Sequence, residues 1–521
     1  MSSPSAKLAE SLEVLHRLQR TRASAAIRSG DMTRTHRERL RANGFLREVI
    51  KGWYIPSRPD ETPGESTAWY AAFWPFAAAY LESRFGRNWS LSPEQSLSLH
   101  GGNWTVPGQL MVRAPRGRNK VTAFPHGTSV LDLRAALPSP ANRQEREGLR
   151  VFSVDSALIA CSPRYFSNHS TDVRTALATV RDPSRLLAGL LEGGHSTIAG
   201  RLAGAFRNGG RDAIADEIVQ TMTAAGYSIR ETDPFEDRPA LALATRETSP
   251  YVSRIRLLWQ TMREPVMARF PKAPGLPTSA AVYLNDVEDA YVTDAYHSLS
   301  IEGYRVSTEL IERVRVGVWN PDGHEQDRER RDAMAARGYF QAFRSVQQSI
   351  GRVLKSEDPG EVAREDHRTW YREMFAPSVT AGLLKPSDLA GYRNGPVYIR
   401  QSMHLPPNRD AVLDTMPAFF DLLREETDAA VRVVLGHFVF VYIHPYLDGN
   451  GRMGRFLMNL MMASGGYPWT VVPVAERPAY MAALERASVA EDIEPFADFL
   501  ARLVRGRLAG ASLPGLPPTT S

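Results

Sequence analysis

Two predominantly apolar runs, VRVVLGHFVFVYI (Val431 to Ile443) and FLMNLMMA (Phe456 to Ala463), lie on either side of HPYLDGNGRMGR. Runs that are apolar on nearly every side can form only helices enclosed by other helices, so this stretch demands a large, mainly helical body. The twelve residues between them become a loop held by two packed helices. Asp448-Gly449-Asn450-Gly451 opens the second helix, where the N–H groups lack intrahelical acceptors and the positive dipole end favours an anion. Two glycines let the backbone adopt positive φ and approach a phosphate closely. Arg452 and Arg455, three apart, fall on one side of the helix start and offer planar, two-pronged donors.

This arrangement suits a polyphosphate. Such a ligand commonly brings Mg²⁺, which takes one or two carboxylates plus phosphate oxygens, and Asp448 is the acid at hand. His444, at the end of a rigid helix, is placed to take a proton from an incoming hydroxyl, with Pro445 stiffening the exit and Tyr446 packing beneath the loop. Any one of these residues alone is an ordinary loop residue. Together they describe attack of a hydroxyl on phosphorus.

The string resembles the signature of the Fic family (filamentation induced by cAMP), H-x-F-x-[DE]-G-N-G-R-x-x-R, with His444, Asp448, Gly449, Asn450, Gly451, Arg452 and Arg455 matching and Tyr446 standing for phenylalanine. The resemblance implies transfer of AMP from ATP to a Ser, Thr or Tyr hydroxyl of a protein. It makes His444 the base and Asp448 the Mg²⁺ ligand, with Gly449, Asn450 and Gly451 cradling the α- and β-phosphates and Arg452 and Arg455 at the β/γ end. It also implies an all-α domain over 278–510. SLSIEG, with Ser298, Glu302 and Gly303, resembles the family's inhibitory motif [ST]-x-x-x-E-[GN], on a helix expected over about 280–303. A glutamate brought to Arg455 is expected to pair bidentately and take the place of the γ-phosphate. GYRNGPVYIR resembles the family's β-hairpin flap, in which Val397, Tyr398 and Ile399 alternate like an edge strand able to align a target segment or simply to cover the core.

Nothing in that motif accounts for the other end of the chain. Between Arg17 and Arg58 eleven Lys/Arg face three acids, a local excess of eight positive charges in a chain whose formal net charge is +5. An anionic partner is implied there, nucleic acid first among the candidates, against a merely solvated arginine-rich surface. The spacing Leu8, Leu12, Leu15, Leu18 predicts one helix; Ala23 to Arg28 predicts a short second; Asp31 or Thr33 caps a third that ends at Asn43-Gly44. FLREVIKGWYIP then predicts a hairpin turning at Lys51-Gly52. This is a winged helix-turn-helix pattern over 1–58, whose third helix, carrying Arg34, His36, Arg37, Arg39 and Arg41, would enter a major groove.

After the linker RPDETPGEST, residues 66–250 read as a mixed α/β domain: a helix from Trp69 to Phe85, strands near Leu110 to Val112 and Val121 to Phe124, and helices from Val151. GWYIP and SLSPEQSLSLHGG resemble the abortive-infection type IV antitoxin family, in which a winged helix precedes such a domain. The last region predicts helices at Ala280 to Ser300, Ser307 to Val314, Arg328 to Val353, Val362 to Phe375, Arg409 to Tyr442, Arg452 to Gly465 and Pro478 to Arg507. Cys161 is the only cysteine, which excludes an intrachain disulfide and thiolate zinc sites. With no run of ~20 uncharged apolar residues and no secretory signal, a cytoplasmic enzyme is expected, without membrane contact. The partners expected are a hydroxyl-bearing target protein or the chain itself, DNA, and a second copy in a homo-oligomer. Two alternatives stand beside AMP transfer: a DNA-binding regulator or antitoxin-like protein whose Fic domain senses nucleotide, and removal of AMP by water that Glu302 orients.

Overall fold

The structure, a computed structural model, describes residues 3–22, 26–61, 64–235, 249–318 and 330–517. The chain forms two compact units, Met1–Arg254 with Tyr398–Leu405, and Ile255–Val397 with Pro406–Ser521.

The first unit begins with α1 (Pro4–Arg22), β1 (Ile27–Arg28), α2 (Arg34–Ala42), β2 (Leu46–Ile50) and β3 (Trp53–Pro56), the strands forming an antiparallel sheet in the order β1-β3-β2. Thr33 caps α2 by accepting from the His36 N–H, and Leu15, Ile27, Met32, Leu40, Leu46 and Tyr54 close a small core. The short helix expected over Ala23 to Arg28 is not formed at its described end. Ile27 and Arg28 instead pair with Tyr54 and Trp53, because β-branched Ile27 buries its side chain better as an edge strand over the α1–α2 core. Residues 23–25 of that expected helix lie outside the described residues. A single 3-10 turn, Ser29–Asp31, leads into α2.

Next come α3 (Thr67–Phe85), β4 (Ser90–Leu91), α4 (Pro93–His100), β5 (Gln109–Ala114), β6 (Lys120–Ala123), β7 (Ser129–Arg134), β8 (Arg143–Arg146) and β9 (Leu149–Phe152). The sheet runs β4-β5-β7-β6, with β5 and β7 parallel, and β8-β9 is a separate hairpin. Helices α5 (Val154–Ala160), α6 (Pro163–Asn168), α7 (Ser170–Thr179), α8 (Ser184–Glu192), α9 (Ser196–Asn208) and α10 (Asp212–Ala224) pack around their own core. Trp53 meets Phe76 and Tyr80 edge to face at 5.7 Å, and Ile55 joins the core of α3 and β5. The basic module and the α/β region expected as separate domains therefore share one body.

Residues Tyr398–Leu405 belong to this unit. Arg400 pairs with buried Glu65 at 3.0 Å, the Gln401 N–H donates to Thr67 Oγ1, the Val106 N–H donates to the Met403 carbonyl, and Met403 and Leu405 pack on the α3 core. The edge strand expected at Val397, Tyr398 and Ile399 is absent; the chain there is irregular. Pro396 supplies no N–H, and the residues that follow direct their hydrogen bonds to Thr67 and Val106.

Helix α11 (Pro250–Arg269) leads into the second unit, which starts at Ile255. There follow α12 (Ala280–Ile301), α13 (Thr308–Arg315), α14 (Arg330–Val353), α15 (Pro359–Thr380), α16 (Arg409–Glu425), α17 (Ala429–Ile443), α18 (Asn450–Gly465), α19 (Arg477–Val489) and α20 (Glu494–Leu508). Nearly every residue of α17 and α18 is buried, as their composition demands. The helical stretch expected from Arg409 to Tyr442 is divided at Glu426-Thr427-Asp428. Asp428 caps α17 through the Val431 N–H, and the Glu426 carboxylate is drawn aside by Arg263 and Trp259 of α11.

Candidate active site

Helix α17 stops at His444, which takes a left-handed conformation, φ 53 and ψ 59, before Pro445. A proline next in line cannot extend the helix, and the left-handed residue turns the chain off the helix axis. Nδ1 lies 3.1 Å from the Val441 carbonyl, an acceptor only, so Nδ1 carries the proton and the neutral ring presents an Nε2 lone pair. Desolvation lowers the His444 pKa to about 4, with the Arg393 charge adding to the shift, so the ring is unprotonated at neutral pH.

The turn to α18 is clamped by Asn450. Its Oδ1 accepts from the Tyr446 N–H and its Nδ2 donates to the Tyr446 carbonyl, both at 2.9 Å. The Asn450 side chain thus braces the loop from beneath, leaving its backbone to face a ligand. Tyr446 is fully buried and stacks on Tyr371 at 3.9 Å, so the aromatic floor expected at this position is present. Gly449 has φ 79, and the Gly449 N–H donates to Asp448 Oδ1 at 2.6 Å. Asp448 Oδ2 remains near solvent, 3.3 Å from Arg452 Nη2.

Both signature arginines are buried beside this loop. A Cβ at Gly449 would stand 3.4 Å from Arg452 Nη2, and one at Gly451 would stand 3.3 Å from Arg455 Nη1. The Arg452 guanidinium is sandwiched between the rings of Tyr304 and Phe375, each 5.0 Å away. Arg455 donates from Nε to Ser298 Oγ at 2.9 Å and from Nη2 to both the Ser298 carbonyl and Glu302 Oε1, at 3.0 and 2.7 Å. Burial works against the Arg455 charge, but Glu302 outweighs it and holds the pKa above its usual value. The contact is through one carboxylate oxygen and one nitrogen, where a two-pronged pair was expected; Ser298 occupies the other edge of the guanidinium. Arg452 Nε and Arg455 Nη1 are buried with no partner among the described residues. Two cationic donors left open beside a helix N-terminus are what an oxyanion needs.

Glu302 caps the end of α12, and Gly303 turns the chain with φ 86. The Glu302 carboxylate overlaps the place where a Cβ on Gly451 would stand. Glycine at 451 thus leaves room for a negatively charged group directly on the first turn of α18.

The Fic/DOC family matches residues 362–462, a span that contains the whole of this loop, α17, and α18 as far as Met462. Residues 362–462 of the chain carry a Fic/DOC family domain. Relatives named "Protein adenylyltransferase Fic" from Drosophila willistoni and Nematostella vectensis are 30% and 27% identical over 41% and 48% of this chain, covering 40% and 56% of theirs. The chain spans about half the length of these curated relatives. Fic-1 of C. elegans aligns in structure with 18% identity and a TM-score of 0.37, over 66% of this chain and 95% of that one.

Within the second unit, His444, Asp448, Gly449, Gly451, Arg452, Arg455, Ser298 and Glu302 are brought together. Three contributors do not stand out in the sequence: Tyr304, Phe375 and Arg393. Tyr304 lies two residues beyond Glu302 and Arg393 lies within GYRNGPVYIR, but nothing in the sequence near Phe375 points to Arg452.

The four arginines expected at a DNA groove do not act alike. Arg39 turns back to α1, donating to the Lys7 carbonyl and to Ser11 Oγ at 2.7 and 2.9 Å, so it is part of the packing and not of the exposed face. Arg34 pairs with Glu38 at 2.5 Å on the surface. Arg37 donates to the Ser29 carbonyl, and both Arg37 and Arg41 lie over the Tyr54 ring at 5.9 and 5.8 Å.

Proposed function

We propose that this protein is an adenylyltransferase that moves AMP from ATP to a hydroxyl of a target protein or of itself, and that Glu302 restrains it. The observation that carries the reading is the set of open donors, Arg452 Nε and Arg455 Nη1, beside a helix start and a histidine with a free Nε2. The target oxygen attacks the α-phosphorus while its proton passes to His444 Nε2; the bond from the α-phosphorus to the bridging oxygen breaks, and pyrophosphate leaves. Backbone N–H groups of Asn450 and Gly451 and the two guanidinium groups stabilise the negative charge.

Among the described residues no cluster of three or more His, Cys, Asp and Glu side chains forms an all-protein metal site. The exposed Asp448 carboxylate, whose Oδ2 is held only at 3.3 Å by Arg452, would fit Mg²⁺, which takes few protein ligands when phosphates supply the rest. When bound, that ion would neutralise phosphate charge.

Restraint follows from position. With Glu302 on Arg455, the γ-phosphate loses its seat, and ATP is left in a pose unsuited to attack. Incubation with α-labelled ATP tests the whole reading: Glu302→Gly gains label over the parent and His444→Ala loses it. Equal labelling of all three sinks it. A purified AMP-modified protein that loses AMP to the parent chain but not to Glu302→Gly would instead favour the reverse reaction.

A second reading, association with DNA, is favoured by α2, where Arg34, Arg37 and Arg41 recur at helical spacing and so share one side. Salt-dependent retention on duplex DNA tests it, and failure to bind at low salt rejects it. Among the described residues no helix is long and apolar enough to cross a membrane.

A further inference from the structure

A buried arginine holds the backbone on which His444 stands. Arg393 lies in the irregular chain between α15 and α16 and is 3% exposed. Its Nε donates to the His444 carbonyl at 2.7 Å, Nη2 to the carbonyls of Ile443 (3.4 Å) and Pro407, and Nη1 to that of Gly395 at 3.1 Å. Its own N–H donates to the Pro445 carbonyl at 2.9 Å. Three consecutive carbonyls, Ile443, His444 and Pro445, are thus satisfied by one residue.

Those carbonyls pose a physical problem. The last four C=O groups of a helix lack intrahelical partners, and in a buried position each unmet acceptor costs on the order of 1–3 kcal/mol. His444 adds strain, because a non-glycine residue in the left-handed region costs of order 1–3 kcal/mol and persists only where its surroundings enforce it. A cation at the negative end of α17 answers both needs. The planar guanidinium reaches several oxygens in fixed directions, as an ammonium group on a flexible stem does not.

We propose that Arg393 is a positioning residue for AMP transfer: by gripping the carbonyls of Ile443, His444 and Pro445 it fixes the left-handed turn that aims His444 Nε2 at the nucleophile. This rests on the transfer reading above. Arg393 touches neither nucleotide nor target, and it acts only through His444.

The test uses the full chain in the Glu302→Gly background, with α-labelled ATP as probe and self-modification as readout. Arg393→Lys and Arg393→Ala are both expected to lose at least tenfold in rate at saturating ATP. The ATP concentration for half-maximal rate, and direct ATP binding, stay within twofold. Free guanidinium ion at millimolar concentration restores part of the rate to Arg393→Ala, and ammonium does not. Where Arg393→Ala does not fold, Arg393→Lys with the same two measurements decides. Rates within twofold of the parent, or a loss matched by equal loss of ATP binding, overturn the proposal. A Glu302→Gly parent that transfers no label refutes the transfer reading itself and takes this role with it, whereas an active parent indifferent to Arg393 refutes the positioning alone.

Discussion

Glu302 Oε1 and Arg455 Nη2 are 153 residues apart in sequence and 2.7 Å apart in space, and this contact joins the end of α12 to the first turns of α18. Removing the carboxylate leaves Arg455 buried but still bonded to Ser298 through Nε and Nη2. A folded Glu302→Gly chain is therefore expected, with its guanidinium freed for phosphate. The gain should appear as at least tenfold more AMP transfer and as a larger rise in melting temperature on adding ATP and Mg²⁺, since a ligand stabilises in proportion to its affinity for the folded state. Arg455→Ala should remove the ion pair without gain in either measurement, because it also removes the phosphate donor.

Gly451 offers a way to separate pair-breaking from site-opening. A methyl group there meets the Glu302 carboxylate and lies 3.3 Å from Arg455 Nη1, so Gly451→Ala breaks the pair yet fills the anion seat itself. Titration calorimetry with ATP and Mg²⁺ should show at least tenfold weaker binding for Glu302→Gly/Gly451→Ala than for Glu302→Gly alone. Equal binding would mean the phosphate does not sit on the first turn of α18.

Acid should act on this unit through its buried histidines. Desolvation lowers His367, His437 and His444 to about 4, below the ordinary value near 6.5. Between those values the unfolded chain binds protons that the folded chain does not, so stability is full above about pH 6.5 and falls as pH drops toward 4. For the fully buried His367 and His437 the loss by pH 5 is on the order of 1–2 kcal/mol each. Melting temperature should fall between pH 7 and 5, and His437→Gln should flatten the slope. Catalysis has a different sign condition. His444 must be neutral to accept a proton, so the transfer rate should be flat from pH 8 to 6 and fall only as pH nears 4, provided the protein is still folded. A rate that already halves near pH 6.5 would show an exposed, unperturbed imidazole.

The loop from His444 to Arg455 is legible in the sequence because its chemistry is local: glycines, helix ends and arginines three apart fix their own geometry within twelve residues. Glu302 is legible for a related reason, a short pattern placed at a helix end. What escapes depends on contacts between distant segments. Arg393 reads as one arginine in a turn-rich stretch until three helix-end carbonyls close around it. Phe375 reads as core until Arg452 stacks on it. The strand expected at Val397 to Ile399 follows residue alternation correctly, but alternation cannot show that Arg400 and Gln401 are already bound to Glu65 and Thr67. The short helix expected over Ala23 to Arg28 fails at Ile27 and Arg28, where pairing with β3 outweighs local preference, a choice only the tertiary partner can make.

The same partition of contacts sorts the arginines of α2 into two kinds and predicts different behaviour for each. Arg37 and Arg41 share one side of α2 with Arg34 by helical spacing and lie against the Tyr54 ring, so reversing their charge should weaken duplex binding uniformly across sequences. Each phosphate that is no longer gripped should reduce the slope of log affinity against log salt by about 1. Arg37→Glu/Arg41→Glu is therefore expected to bind duplex DNA at least tenfold more weakly at low salt, as read by fluorescence anisotropy on a chain that a thermal melt shows to be folded. Arg39→Ala should do the opposite. Its guanidinium ties α2 to the Lys7 carbonyl and Ser11 Oγ of α1, so its removal should destabilise the α1–α2 pair by about 1 kcal/mol or more and leave the salt slope intact. If Arg39→Ala instead flattens the slope while the double reversal leaves it alone, the face turned toward DNA is not the one bearing Arg37 and Arg41.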